Sequence, residues 1–207
     1  TDLLREPAPP RGGRPVALVA PHAGYADSGR ICADALRQAS GFDYDRIVIL
    51  GTCHTAAGRT PVSLYPGAGF RTPLGVARID ESAARRLAAE NREVSFDEIP
   101  HRGEHSIEVI LPFIQTLFPG KPILPAVVGP ADRKACERFG KRLAEVLRGK
   151  KALIIASADL SHYPAYDDAA AADRKTLAAL TTRDPEQFEA ALRRSEEHTS
   201  ELQSPNT

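Results

Sequence analysis

Short, wholly apolar runs alternate with amphipathic stretches along the chain. Residues 15–20 (PVALVA), 46–50 (RIVIL), 122–128 and 152–156 (ALIIA) have strand length and lack the in-out alternation of a half-exposed strand. Runs of that kind belong to strands covered on both faces, the habit of parallel sheets. Residues 62–65 form a further candidate strand. Between the runs the apolar positions recur at helical spacing. Residues 28–40 place Ile31, Ala35, Leu36 and Ala39 on one side, and 131–147 do the same with Cys136, Phe139, Leu143 and Leu147. Residues 105–117 carry Ile107, Ile110, Leu111, Ile114 and Leu117, which predicts one helix bent at Pro112. Asp80 is placed to cap a helix from Glu81 to about Asn91, and residues 167–180 and 185–192 read as two more helices. The predicted class is α/β, with a mostly parallel central sheet flanked by helices on both faces.

Composition narrows the picture. The 207 residues fit one domain, expected over 1–193, and 42% hydrophobic with 26% charged residues is the balance of a globular protein. Twenty-seven basic residues offset twenty-seven acidic ones, so no global field would gather nucleic acid or anionic lipid. The three cysteines, at 32, 53 and 136, form neither a CxxC pair nor an even framework, which suits a reducing compartment. Core packing is the expected role of Cys32 and Cys136. No apolar run approaches the ~18 residues of a membrane span, and a cytoplasmic protein is expected. Residues 194–207 (RSEEHTSELQSPNT) are polar and aperiodic and resemble the translation of a sequencing-adapter oligonucleotide; a non-native or disordered tail is expected there. With Thr1 first and no methionine, the fold is expected to be truncated at both ends.

The candidate chemistry lies in the histidines. Setting aside His198 in the tail, His22, His54 and His162 each follow a predicted buried strand, in PHAGY, GTCHT and ADLSHY. Loops at the carboxyl ends of parallel strands form the ligand crevice of such sheets, so these three are expected to share one pocket. Imidazoles so gathered can hold a transition metal or exchange protons near neutral pH. His105 and Glu108, three apart, and Glu104 and Glu108, four apart, would share a helix side in GEHSIE and could ligate or relay protons. Asp159 stands three residues before His162, placed to ligate or to orient an imidazole. Tyr25 and Tyr163 adjoin histidine loops and are candidate substrate contacts. Neither GxGxxG after the first strand, GxxxxGK[ST] nor GxSxG occurs, which disfavours a Rossmann dehydrogenase, a P-loop NTPase and an α/β-hydrolase.

Taken in order, PHAGYADSG (21–29), ILGTCHT (49–55), RTPLG (71–75), EHSIEVILPF (104–113) and SADLSHY (157–163) resemble the Memo family, whose prokaryotic members include the AmmeMemoRadiSam system protein B. The family is similar in fold to LigB-type class III extradiol dioxygenases. The resemblance implies metal ligation by His22 and His54, with further donors from the last strand-end loop, where Ser161 stands at the family's cysteine position directly before His162. It also implies an acid/base role for His105, beside which Glu104 and Asp159, singled out above from their spacing, are the candidate catalytic carboxylates. Iron or copper is the implied cofactor, zinc ranks after them, and no nucleotide cofactor is expected. AMMECR1-type and radical-SAM proteins are partners implied by family association. Three functions stay open: a metal-dependent, dioxygenase-like oxidoreductase, a non-catalytic module binding a phosphorylated or carboxylated ligand such as a phosphopeptide, and a zinc-type hydrolase.

Overall fold

A computed structural model describes residues 2–4, 12–162 and 164–202. The chain divides into two compact units, Thr1–Ala158 and Asp159–Thr207.

The first unit holds the sheet. Its strands are β1 (Ala17–Ala20), β2 (Arg46–Thr52), β3 (Val62–Leu64), β4 (Gly69–Thr72), β5 (Gly75–Arg78), β6 (Val94–Phe96), β7 (Ile123–Val128) and β8 (Ala152–Ser157). Six of them form one sheet in the order β1-β8-β2-β7-β3-β6, while β4 and β5 pair as a separate antiparallel hairpin. The pairs β1/β8, β8/β2, β2/β7 and β3/β6 are parallel and only β3/β7 is antiparallel, so the sheet is mixed but mostly parallel, as predicted. β4, β5 and β6 carry no long apolar run and are not evident in the sequence.

Alternation along the central strands sends side chains into two cores. Ile47, Ile49, Ile123, Val127, Leu153 and Ile155 face one side, against α1 (Gly29–Arg37) and α3 (Leu111–Leu117). Val48, Leu124, Ala126 and Ala152 face the other, against α2 (Glu81–Ala88) and α4 (Arg133–Leu147). Each buried Ile or Leu side chain stabilises the fold by about 1.5–3 kcal/mol, and this double coverage is why β2, β7 and β8 read as unbroken apolar runs. Asp80 caps α2 through the Ala83 amide and also pairs with Arg46 at 2.7 Å, tying the helix start to β2.

Several expectations change. β1 is an edge strand, and Val16 (61% exposed) and Val19 (40%) lie open to solvent rather than buried. On α1 the predicted Leu36 is buried, as is Ala39 just beyond the helix, but Ile31 is exposed and Cys32 and Ala33 take its place against the core. Cys136 is exposed on α4, whose inward face is Ala135, Phe139, Leu143, Val146 and Leu147. The predicted helix 105–117 begins only at Leu111. Pro112 occupies its first turn, where a missing amide hydrogen costs nothing, rather than bending a longer helix. Glu104, His105 and Glu108 therefore lie in a non-helical segment, and the shared helix side expected for Glu108 with His105 and with Glu104 does not form.

The second unit contains α5 (Tyr166–Thr181) and α6 (Pro185–Leu202), packed on each other. Helix α6 runs past the predicted end at Leu192 into the segment expected to be a tail, and residues 203–207 lie outside the described residues. Among the described residues no helix is long and apolar enough to cross a membrane.

Candidate functional site

The carboxyl ends of β1, β8 and β2 lie side by side, and the loops that leave β1 and β2 carry His22 and His54. A third ring, His105, comes from the turns between Gly103 and α3. Gly103 adopts φ 71°, a left-handed conformation open to glycine at little cost, and Glu104 after it is buried. One ligand-capable atom from each of His22, His54 and His105 lies within 4.8 Å of the others. His54 and His105 stack at 4.7 Å between centroids, and His22 meets both edge-on at 5.1 and 5.5 Å. His22 is 2% exposed, whereas the side chains of His54 and His105 are 40% and 48% exposed, so the cluster has a closed floor and an open mouth.

Glu104 organises this arrangement from beneath. Its side chain is 1% exposed and accepts hydrogen bonds from the His54 ring Nδ1 (2.9 Å), the His54 backbone amide and the Ser106 amide (2.9 Å). Burial alone would raise this carboxyl, but the hydrogen bonds from His54 and Ser106 outweigh it and hold the group at about 2. An ionised carboxylate only accepts, so His54 Nδ1 carries the hydrogen and, in the neutral ring, Nε2 carries the lone pair. A carboxylate behind an imidazole is the usual means of aiming a metal-binding histidine. The same carboxylate lies 3.6 Å from His105 Nδ1.

Two serines, given no role by the sequence motifs that contain them, complete the floor. Ser157, the last residue of β8, contacts His22 Nδ1 at 2.9 Å and donates to the Ser106 carbonyl. Ser106 donates its hydroxyl to the Thr52 carbonyl at the end of β2 (2.8 Å). The signal for Ser157 was available: it ends an otherwise apolar strand at the crevice side of the sheet. Gly51 permits the approach, because a Cβ there would stand 2.5 Å from Ser106 Oγ and 2.7 Å from Ile107 Cγ1.

Tyr25 is 48% exposed, donates to the Val109 carbonyl and packs on Phe113; burial of part of its ring and the Glu108 carboxylate push its phenol up. Glu108 is itself exposed. His101 donates from Nε2 to the Ser63 carbonyl beside Tyr65 and Phe70, a packing role, and burial lowers its pKa. Cys53 is half-buried against the α1 side of the core. In the second unit, Ser161 donates to Asp173 (2.7 Å) and His162 pairs with Asp159 at 3.4 Å. Tyr163 lies outside the described residues.

A sequence profile of the family described as Memo-like protein matches residues 2–201. The chain belongs to the Memo family. Similar relatives described as MEMO1 family proteins occur in Desulfurococcus amylolyticus, 40% identical over 167 residues, and in Caldivirga maquilingensis, 34% identical over 176. These alignments cover 78% and 84% of the present Memo chain and 58% and 62% of the respective relatives. A third, from Aquifex aeolicus, is 34% identical over 188 residues, covering 90% of this chain and 69% of its own length. The Memo chain thus spans roughly three fifths of the length of the first of these curated relatives.

Proposed function

We propose that His22, His54 and His105 bind one divalent transition-metal ion and that the Memo chain serves a non-haem iron or copper oxidoreductase-like activity. The observation that carries this reading is the convergence of three imidazole ligand atoms within 4.8 Å on the crevice side of a mostly parallel sheet. The donor chemistry fits. Imidazole nitrogen suits iron, copper and zinc, and three neutral donors leave coordination positions for small molecules. An iron or copper ion held there would supply redox chemistry at a position open to solvent on one side. The chain's own residues bind and orient: Glu104 aims His54, and Ser157 contacts His22. His105, half-exposed at the mouth, either completes the metal's donor set or, where His22 and His54 alone hold the ion, exchanges a proton with the bound molecule.

Metal analysis after anaerobic purification tests the proposal. About one equivalent of iron or copper is expected in the wild type, falling to background in the His22→Ala/His54→Ala double variant. Unchanged metal content in that variant would overturn it. A second reading, zinc-type hydrolysis, is favoured by one observation: the clustered donors are all imidazole, a set used by catalytic zinc sites. Zinc in place of iron or copper, with turnover of simple esters, would select that branch.

A further inference from the structure

The floor of the histidine cluster contains a buried hydrogen-bond chain whose direction is fully determined. We infer that Ser157 is a positioning residue that fixes the tautomer of His22, and that Ser106 joins this half of the site to the Glu104–His54 half. The inference rests on the metal-site reading only for its functional consequence; the tautomer itself follows from geometry.

Ser157 has one hydroxyl hydrogen and donates it to the Ser106 carbonyl, which can only accept. The contact at 2.9 Å between Ser157 Oγ and His22 Nδ1 must then run the other way, with the ring nitrogen donating. In the neutral ring, Nε2 therefore carries the lone pair. His54 reaches the same state by a different route, because its Nδ1 hydrogen goes to the Glu104 carboxylate. The two rings come from different strand-end loops, yet both are set to present Nε2.

Ser106 links the two arrangements with all of its polar groups. Its amide donates to Glu104 Oε1, its hydroxyl donates to the Thr52 carbonyl, and its carbonyl receives the Ser157 hydroxyl. Ser106 is 0% exposed and Ser157 is 1% exposed, so water does not compete for these bonds. Burying a hydroxyl costs free energy unless it is hydrogen-bonded, and both serine hydroxyls are. Here the direction selects which imidazole nitrogen is offered to a ligand.

The test reads the tautomer directly. In protein labelled with nitrogen-15 on histidine, at a pH of about 8, above the ordinary imidazole range, His22 is expected in the Nδ1–H form. Ser157→Ala should convert it to the mixture of an unconstrained ring, and Ser157→Thr, which keeps the hydroxyl, should restore it. Ser106→Ala removes a neighbouring hydroxyl but leaves the Ser106 carbonyl in place, so His22 should keep the Nδ1–H form. That variant separates loss of the acceptor from general loosening of the floor. Competition of Zn²⁺ against a chromogenic chelator should show affinity falling about 10- to 100-fold in Ser157→Ala, the usual effect of removing such a partner. An Nε2–H ring in the wild type, or an unaltered Nδ1–H ring in Ser157→Ala, would overturn the inference. If the wild type takes up no Zn²⁺, the metal reading fails separately, and the ring spectra still decide the role of Ser157.

Discussion

At the scale of single residues, Glu104 carries the clearest energetic consequence. Its carboxyl is held at about 2 against an ordinary 4.5, so the folded state prefers the ionised form. A depressed carboxyl contributes stability that is complete above its unfolded value and is lost as pH falls from about 4.5 through about 2. The shift corresponds to roughly 3 kcal/mol, at about 1.4 kcal/mol per pK unit. Glu104→Gln should therefore lower stability at neutral pH by an amount of that order. In urea titrations the gap between the variant and the wild type should narrow progressively below pH ~4.5. A gap that stays constant down to pH ~2 would show that the loss came from packing and not from charge. His54 should respond as well, since its ring and amide both lose an ionised acceptor.

Among the secondary-structure elements, the site depends on how closely the 104–107 turns approach the end of β2. Gly51 makes that approach possible, and no other residue type fits without moving Ser106 or Ile107. Gly51→Ala should cost about 1–3 kcal/mol, the range for overpacking a tight contact. It should also displace Glu104 and His105, weakening metal uptake beyond what the stability loss explains. Thermal melts and metal titration on the same preparation would separate the two effects. The elements also show what was legible in sequence. His22 and His54 could be placed because a strand buried on both faces announces itself, and the residue after it inherits a position in the crevice. His105 has no such herald: it sits in turns that the apolar stripe of Ile107, Ile110 and Leu111 disguises as helix. Those three side chains are indeed buried, but turns can deliver the same burial as a helix. Ser106 and Ser157 stayed hidden for a different reason. Their importance lies in the direction of hydrogen bonds between segments about fifty residues apart, which no local pattern records. The separate hairpin of β4 and β5 and the short edge strand β6 carry no signal because strands of three or four residues that are not covered on both faces need little apolar sequence.

For the whole molecule, ligand binding and folding are linked. An ion that binds the assembled cluster and not the unfolded chain stabilises the native state by about 2.7 kcal/mol at a hundred-fold excess over its Kd. Addition of Zn²⁺ or Fe²⁺ should raise the melting temperature of the wild type and leave the His22→Ala/His54→Ala variant unmoved. An equal rise in both proteins would assign the effect to adventitious surface binding. The α/β architecture and its mostly parallel sheet were readable from β2, β7 and β8. The open edge at β1 was not, because an apolar run does not reveal whether a strand has one neighbour or two.

The strand order has one more implication. β8 is the last strand of its unit to be synthesised, yet it occupies the slot between β1 and β2, and Ser157 meets a ring that lies 135 residues earlier. Until β8 is in place, β1 and β2 lack the strand that stands between them. The pocket closes only after β8 emerges and inserts. The floor of the cluster thus depends on the last strand of its unit, and an ion held there would mark β8 as already inserted.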